Sequence, residues 1–270
     1  MFHASSGRCI NIAMDLGIFG ARSFSNGIED LPAAFATIVG AGPDVIQVNP
    51  GGFRALKDAG LADSITVALR LDVTNVYEAR RVSKAWDTAH ANTLEDANHP
   101  SVGAVVLNLL ELDANAELQE QCISNIQEIG ALARQRGISL MVEPLVMKTN
   151  SEGGSSSVSD AEQIATLVRQ AVELGADIIK VDPVDPMQRF AEVVEIATPI
   201  PVLVRGGGKV TTRELLERTK TAMAVGARGV VYGRNVVQHP EPASLIAALA
   251  AIVHSNASVD EALSLVKEPA

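Results

Sequence analysis

Aromatic residues supply only 3% of this 270-residue chain, cysteine occurs twice, and basic residues are outnumbered, with 22 Lys and Arg against 32 Asp and Glu. Each shortage excludes something. So few rings rule out a core of large aromatic plates. Small and β-branched apolar residues must fill it instead, which suits helices packed on buried parallel strands. Cys9 and Cys122 stand far apart and in no CxxC spacing. Neither a disulfide framework nor a thiolate zinc site is expected, which fits a reducing cytoplasm. The net charge of −10 argues against a nucleic-acid partner, whose binding rests on basic patches facing phosphates. A small anionic substrate is still compatible, because a local basic pocket can sit in an acidic protein. No apolar run has membrane-spanning length, and MFHASSGRCINIAMD lacks a basic region followed by a continuous apolar stretch. No membrane partner and no signal peptide are therefore expected, and the expected location is cytoplasmic.

What the chain has is alternation. Short apolar runs recur at CINIAMD (9–15), DVIQVN (44–49), ITVALRLD (65–72), GAVVLNLL (103–110), SLMVEP (139–144), DIIKVD (177–182), PVLVRGG (201–207) and GVVYGR (229–234). Amphipathic stretches such as AEQIATLVRQAVELG and TTRELLERTKTAMAVG separate them, each closed by glycine, and Ser159 with Glu162 reads as a capping box. Eight strand–helix units in about 250 residues predict an α/β fold, a single (β/α)8 TIM barrel over residues 1–270 with a C-terminal helical extension. The competing doubly wound sheet lacks its usual GxGxxG after the first strand. SEGGSSS (151–157) reads as a solvated loop or a lid, and Trp86 falls in a polar helical stretch. The pattern IAALAAIVHSNASVDEALSLV is expected to pack outside the barrel or against another subunit.

Strand side chains alternate between faces. With Ile179 and Val181 facing the helices, Ile178, Lys180 and Asp182 face the barrel axis. The same phase turns Asn11, Ala13 and Asp15, Gln47 and Asn49, Ala68, Arg70 and Asp72, Val106 and Asn108, Met141 and Glu143, and Leu203 and Arg205 inward. Nearly every polar residue falls in that phase, near the C-terminal end of its strand, where barrel active sites lie. Isolated charges there are costly unless paired or wetted, so a polar pocket is the economical account.

Lys180 is the sharpest candidate. An amine must be neutral to attack a carbonyl, and burial and neighbouring cations such as Arg205 lower its pKa. Glu143 is a candidate proton carrier, Asp15 an assisting acid or base, and each also reads as an ion-pair partner of Lys180 or Arg70. RGGGK (205–209) and YGRN (232–235) follow the seventh and eighth strands, where barrels frequently hold phosphate. Gly206, Gly207 and Gly233 allow close backbone approach, Arg234 adds a charge, and Asn49, Arg70 and Asn108 are expected at the pocket mouth. His3, His90, His99, His239 and His254 lie away from the strand ends, so neither a histidine metal site nor a Ser–His–Asp triad is expected.

GADIIKVDP, RGGGKVTTRELLERTKTAMAVGARGVVYGRNVVQ and AAIVHSNASVDEAL resemble the class I aldolases of the archaeal-type fructose-bisphosphate, deoxyribose-phosphate and tagatose-bisphosphate group, closely over about residues 160–266. The resemblance implies that Lys180 forms the Schiff base, that Gly206, Gly207, Gly233 and Arg234 hold phosphate, and that Asp15 matches the acid of a DHG motif. That motif reads DLG here, with Leu16 in the histidine's place, which points away from the thiolase branch. MVEP at the fifth strand is similar to the tagatose-bisphosphate and sulfofructose-phosphate enzymes, where a glutamate shuttles protons.

The expectation is a metal-independent Schiff-base aldolase without cofactor, acting on a phosphorylated ketose or related keto compound as a homo-oligomer. The alternatives are acyl transfer on a phosphorylated dione and a phosphosugar-binding barrel without catalysis.

Overall fold

A parallel strand buried on both faces must be apolar on the helix side and compact on the axis side, and the eight apolar runs meet both demands. In a computed structural model that describes residues 1–19, 22–77, 85–87, 96–113, 115–151 and 154–267, they form eight strands. These are β1 (Cys9–Ala13), β2 (Val45–Val48), β3 (Thr66–Arg70), β4 (Val102–Leu112), β5 (Ser139–Thr149), β6 (Ile178–Val181), β7 (Val202–Arg205) and β8 (Gly229–Tyr232). They are parallel neighbours in the order β4-β3-β2-β1-β8-β7-β6-β5, and β4 pairs with β5, with Asn108 opposite Glu143, to close the barrel. At the β1–β8 seam Gly229 has φ 145°, and a Cβ there would sit 2.0 Å from the Cys9 carbonyl oxygen, so only glycine fits.

The helices on the outside are α1 (Leu31–Gly40), α2 (Pro50–Asp58), α3 (Ala116–Gln135), α4 (Ala161–Glu173), α5 (Phe190–Ala197), α6 (Thr212–Ala224), the short α7 (Arg234–Val237), α8 (Pro242–Ser255) and α9 (Val259–Leu263). The C-terminal apolar pattern becomes α8, which packs on β1, α1 and α6 as an outer barrel helix, and α9 folds back on both α6 and α8.

The alternation of phase divides the core in two. Ile12, Ile46, Val67, Leu69, Leu107, Val142, Ile179 and Val204 join the layer between strands and helices. Cys9, Val45, Ala68, Ala104, Met141, Ile178, Leu203 and Val231 fill the axis, with Met1 and Phe2 packed against them. The apolar plug occupies the lower half of the barrel, which leaves the polar inward residues stacked toward the strand C-termini.

Three local expectations are corrected. The cap of α4 is Asp160, whose carboxylate accepts from Gln163 N–H at 2.9 Å, so the Ser159–Glu162 capping box does not form. Ala85–Asp87, around Trp86, is a short strand paired antiparallel with Asp72–Thr74 rather than helix. Ser155–Ser157 pairs antiparallel with Met147–Thr149, so the serine-rich stretch folds back as a hairpin on the extended end of β5. His90 lies outside the described residues.

At the N-terminal end of the barrel, His254 Nδ1 lies 2.8 Å from Ser6 Oγ and Nε2 lies 3.1 Å from Asp44 Oδ2, tying α8 to the segments before β1 and β2. These bonds are satisfied by neutral imidazole with the proton on Nε2, and burial lowers the His254 pKa although Asp44 opposes it. The unfolded chain then takes up this proton at higher pH than the native protein. The His254 contribution is present above the ordinary histidine pKa and is lost as pH falls below it. Thermal melts should show the stability advantage of wild type over His254→Gln at pH 7.5 shrinking toward pH 5; an advantage that grows on acidification would contradict this assignment.

Candidate active site

Seven strands deliver the polar groups to one place. Gln47 on β2, Arg70 at the end of β3, Asn108 on β4, Glu143 on β5 and Lys180 on β6 are all buried, and Arg205 ends β7. Asp15, Asp72 and Asp182 follow β1, β3 and β6 and are buried too. Lys180 Nζ is 2.8 Å from Glu143 Oε2 and 3.4 Å from Gln47 Oε1. The other Glu143 oxygen, Oε1, accepts from Arg205 Nε at 3.1 Å.

Arg70 is the hub beneath them. Its guanidinium, with no exposed surface, donates from Nη2 to Glu143, from Nε to Asp15, and from Nη1 to Asp72 Oδ1 at 3.1 Å. Gln47 Nε2 donates to the same Asp15 oxygen at 2.7 Å. Asn108 holds Asp72 from the opposite side through its backbone N–H at 2.7 Å and its Nδ2 at 2.9 Å. Arg205 extends the network to Asp182 Oδ2 and to the Tyr77 hydroxyl, each at 3.1 Å. Asn11, lower on β1, is buried with neither amide atom hydrogen-bonded within the protein, and nothing in the structure explains it.

The charges set the protonation states. Burial raises the Glu143 pKa, but Lys180, Arg70 and Arg205 outweigh it and hold the carboxyl well below the usual carboxylate range. Burial lowers the Lys180 pKa; Glu143 opposes, and Arg70 and Arg205 add to the lowering. The result is an ionised glutamate in contact with a lysine that gives up its proton more readily than a free one. Asp72 is pushed up by burial despite Arg70.

Above Lys180 lies a cavity of about 50 Å³ whose walls include Asp15, Leu16, Phe19, Glu143, Lys180 and Arg205. Gly206, Gly207, Gly233, Arg234 and Asn235 complete it on the β7 and β8 side. Asn235 holds the β7 turn together, donating from Nδ2 to Gly206 and Gly208 carbonyls at 3.3 and 3.2 Å and accepting from Val210 N–H at 3.0 Å. Gly207 has φ 61°, and a Cβ on Gly233 would press on the Ala13 carbonyl at 3.1 Å and on Leu16 at 3.2 Å. A larger cleft of about 510 Å³ around Phe2, Pro199 and Arg228 contains none of these converging carboxylates and amines, so size does not decide which cavity carries chemistry.

The structure brings Lys180, Glu143, Asp15, Arg205, Gly206, Gly207, Gly233 and Arg234 around one cavity. Three expected mouth residues are placed elsewhere. Asn49 caps α2, accepting from Gly52 N–H at 2.8 Å, while Arg70 and Asn108 are consumed by the buried network below. Gln47, Asp72 and Asp182 carried an inward-phase signal in the sequence without being singled out. Asn235 sat inside YGRN, and Tyr77, beyond its strand in an irregular segment, carried no signal. Among the described residues no group of three or more His, Cys, Asp and Glu side chains is arranged to hold a metal ion.

Comparison with known proteins places this geometry in context. A family model described as DeoC/LacD family aldolase matches residues 9–239. An uncharacterised aldolase of Saccharolobus solfataricus is 33% identical over 265 residues, 97% of this chain and 95% of the relative. A class 1 fructose-bisphosphate aldolase of Halobacterium salinarum is 40% identical over 209 residues, 76% of each chain. A solved structure of a Schiff-base-forming fructose-1,6-bisphosphate aldolase, studied through its reaction intermediates, superposes with a TM-score of 0.77 at 25% identity, covering 94% of this chain and 97% of that one.

Replacing Arg70 by Met should take from Asp15 and Asp72 the cation they contact, leaving them only amide donors, and from Glu143 one of its three cations, and so destabilise the fold by about 3–5 kcal/mol at pH 7. Urea unfolding of Arg70→Met against wild type measures this, and a loss below about 1 kcal/mol would show that the hub is not structural.

Proposed function

Because the chain belongs to the DeoC/LacD family of aldolases, we propose that Lys180 is the Schiff-base lysine of a class I aldolase acting on a phosphorylated ketose or related keto compound. The observation that carries this is the contact between Lys180 and an ionised Glu143 at the floor of a cavity that holds both an inward amine and the glycine turns.

Proton transfer from Lys180 to Glu143, 2.8 Å away, supplies the neutral amine. The amine adds to the substrate ketone, and Glu143 gives its proton to the carbinolamine hydroxyl, which leaves as water to form an iminium on Nζ and returns Glu143 to the carboxylate. The bond between the carbons α and β to the iminium then breaks. Its electrons flow to the iminium nitrogen to form an enamine, and the proton of the β-hydroxyl passes to Glu143 as the aldehyde leaves. Glu143 returns that proton to the enamine carbon, and water releases the ketone and regenerates the lysine. Arg70 and Arg205 keep Glu143 ionised and oriented for these transfers, and Asp15, fixed by Arg70 and Gln47, borders the same space.

Gly206, Gly207, Gly233 and Arg234 hold the substrate phosphate at the opposite wall. Binding energy gained there, away from the reacting bond, aligns that bond with the lysine and glutamate. The cavity is smaller than a ketose phosphate, so substrate entry moves the β1–α1 residues Leu16 and Phe19 that line it.

Borohydride added with dihydroxyacetone phosphate should attach the reduced adduct to Lys180 in wild type and not in Lys180→Met, as read by peptide mass spectrometry. Glu143→Gln should still be trapped yet lose about 10²–10⁴-fold in turnover. Phosphate-ligand binding with no adduct and no turnover would favour the non-catalytic barrel instead.

A further inference from the structure

We propose that Tyr77 is a positioning residue for the proton-transfer step: its hydroxyl anchors Arg205, and Arg205 in turn fixes the carboxylate of Glu143. The inference rests on the Lys180–Glu143 reading above.

Arg205 meets three groups with three nitrogens, each at 3.1 Å: Nε on Glu143, Nη1 on Asp182, and Nη2 on the Tyr77 hydroxyl. A guanidinium is planar, so once two of its nitrogens are held, the direction of the third is set. Asp182 is itself a one-sided support, because its second oxygen, Oδ1, is buried with no hydrogen-bond partner. Tyr77 is the anchor that comes from a different element, the segment following β3, and it is held firmly.

Its ring stands edge-on to Phe19 at 5.4 Å and to Phe24 at 5.6 Å between centroids. The Arg234 guanidinium lies 4.3 Å from the Phe24 centroid. One run of contacts therefore leads from the proposed phosphate ligand through Phe24, Tyr77 and Arg205 to the proton carrier. Burial raises the Tyr77 pKa, so the hydroxyl stays protonated and acts as a neutral acceptor rather than a further anion beside Asp182 and Glu143. The other tyrosine, Tyr232, bonds Thr219 at 2.8 Å under the helices and takes no part.

Tyr77→Phe keeps the ring and its packing and removes the one acceptor. The proton step can be followed without knowing the aldehyde, by exchange of the α-hydrogen of dihydroxyacetone phosphate with deuterium oxide, because enamine formation gives that proton to Glu143 and reversal returns a deuteron. Saturated exchange should fall by about tenfold or more in Tyr77→Phe, since a hydrogen bond to a charged group is lost. KM for dihydroxyacetone phosphate should stay within about twofold and borohydride trapping at Lys180 should persist, so that the loss falls on the saturated rate alone.

Wild-type exchange at saturation in Tyr77→Phe would overturn the proposal. So would a loss accompanied by a lowered melting temperature and raised KM, which marks a purely structural role. If wild type itself forms no borohydride adduct, the Schiff-base reading falls and this proposal with it. A wild type that is trapped and exchanges normally, beside an unaffected variant, overturns the role of Tyr77 alone.

Discussion

The Glu143 carboxylate meets Lys180, Arg70 and Arg205 in a space almost closed to water, and the remaining polar core is arranged around that meeting. A buried carboxylate would take up a proton and cease to be a base; three cations prevent this. A buried lysine beside only a carboxylate would stay locked as an ammonium, but the two guanidiniums and burial pull against that. Burial and the guanidiniums thus loosen the hold of Lys180 on its proton while the surrounding cations keep Glu143 ionised. Arginine suits both supporting positions, since its charge does not titrate near neutrality and its forked donors reach several carboxylates at once.

Such a cluster is costly, and the barrel distributes the cost. Every ionised side chain at the centre has opposite charges or amide donors within hydrogen-bond range: Asp15 has Arg70 and Gln47, Asp72 has Arg70 and Asn108, Asp182 has Arg205. Beneath it, the apolar axial cluster from Cys9 to Val231 excludes water and supplies the cohesion that the charged layer does not. The β7 and β8 turns close the opposite wall with glycines where side chains would collide. Leu16 and Phe19, which follow β1, border the cavity from the remaining side.

The phase of the strands was legible because alternation is local. Once Ile179 and Val181 face the helices, Lys180 has one direction left, and the same reasoning orders Glu143, Arg70 and Asn108 without any knowledge of contacts. Local competition was not legible in the same way. Asp160 rather than Ser159 caps α4, since its carboxylate reaches the third amide, and Asn49 turns back to Gly52 instead of facing the pocket. Arg70 looked like a substrate ligand because an inward arginine at a strand end has that appearance; three carboxylates, Asp15, Asp72 and Glu143, engage all three of its nitrogens.

By itself, then, the chain's order of residues determined the number of strand–helix units, the face on which each polar group stands and the end of the barrel at which they gather, since all three follow from period and spacing along the backbone. Only the tertiary structure decided who pairs with whom. The contacts of Arg70 with Asp15 and Glu143, of Lys180 with Gln47, and of Arg205 with Tyr77 join residues 55, 73, 133 and 128 positions apart. Such pairings depend on barrel closure and shear, which carry no local signature, and through short-range electrostatics they decide which groups are left to meet a substrate.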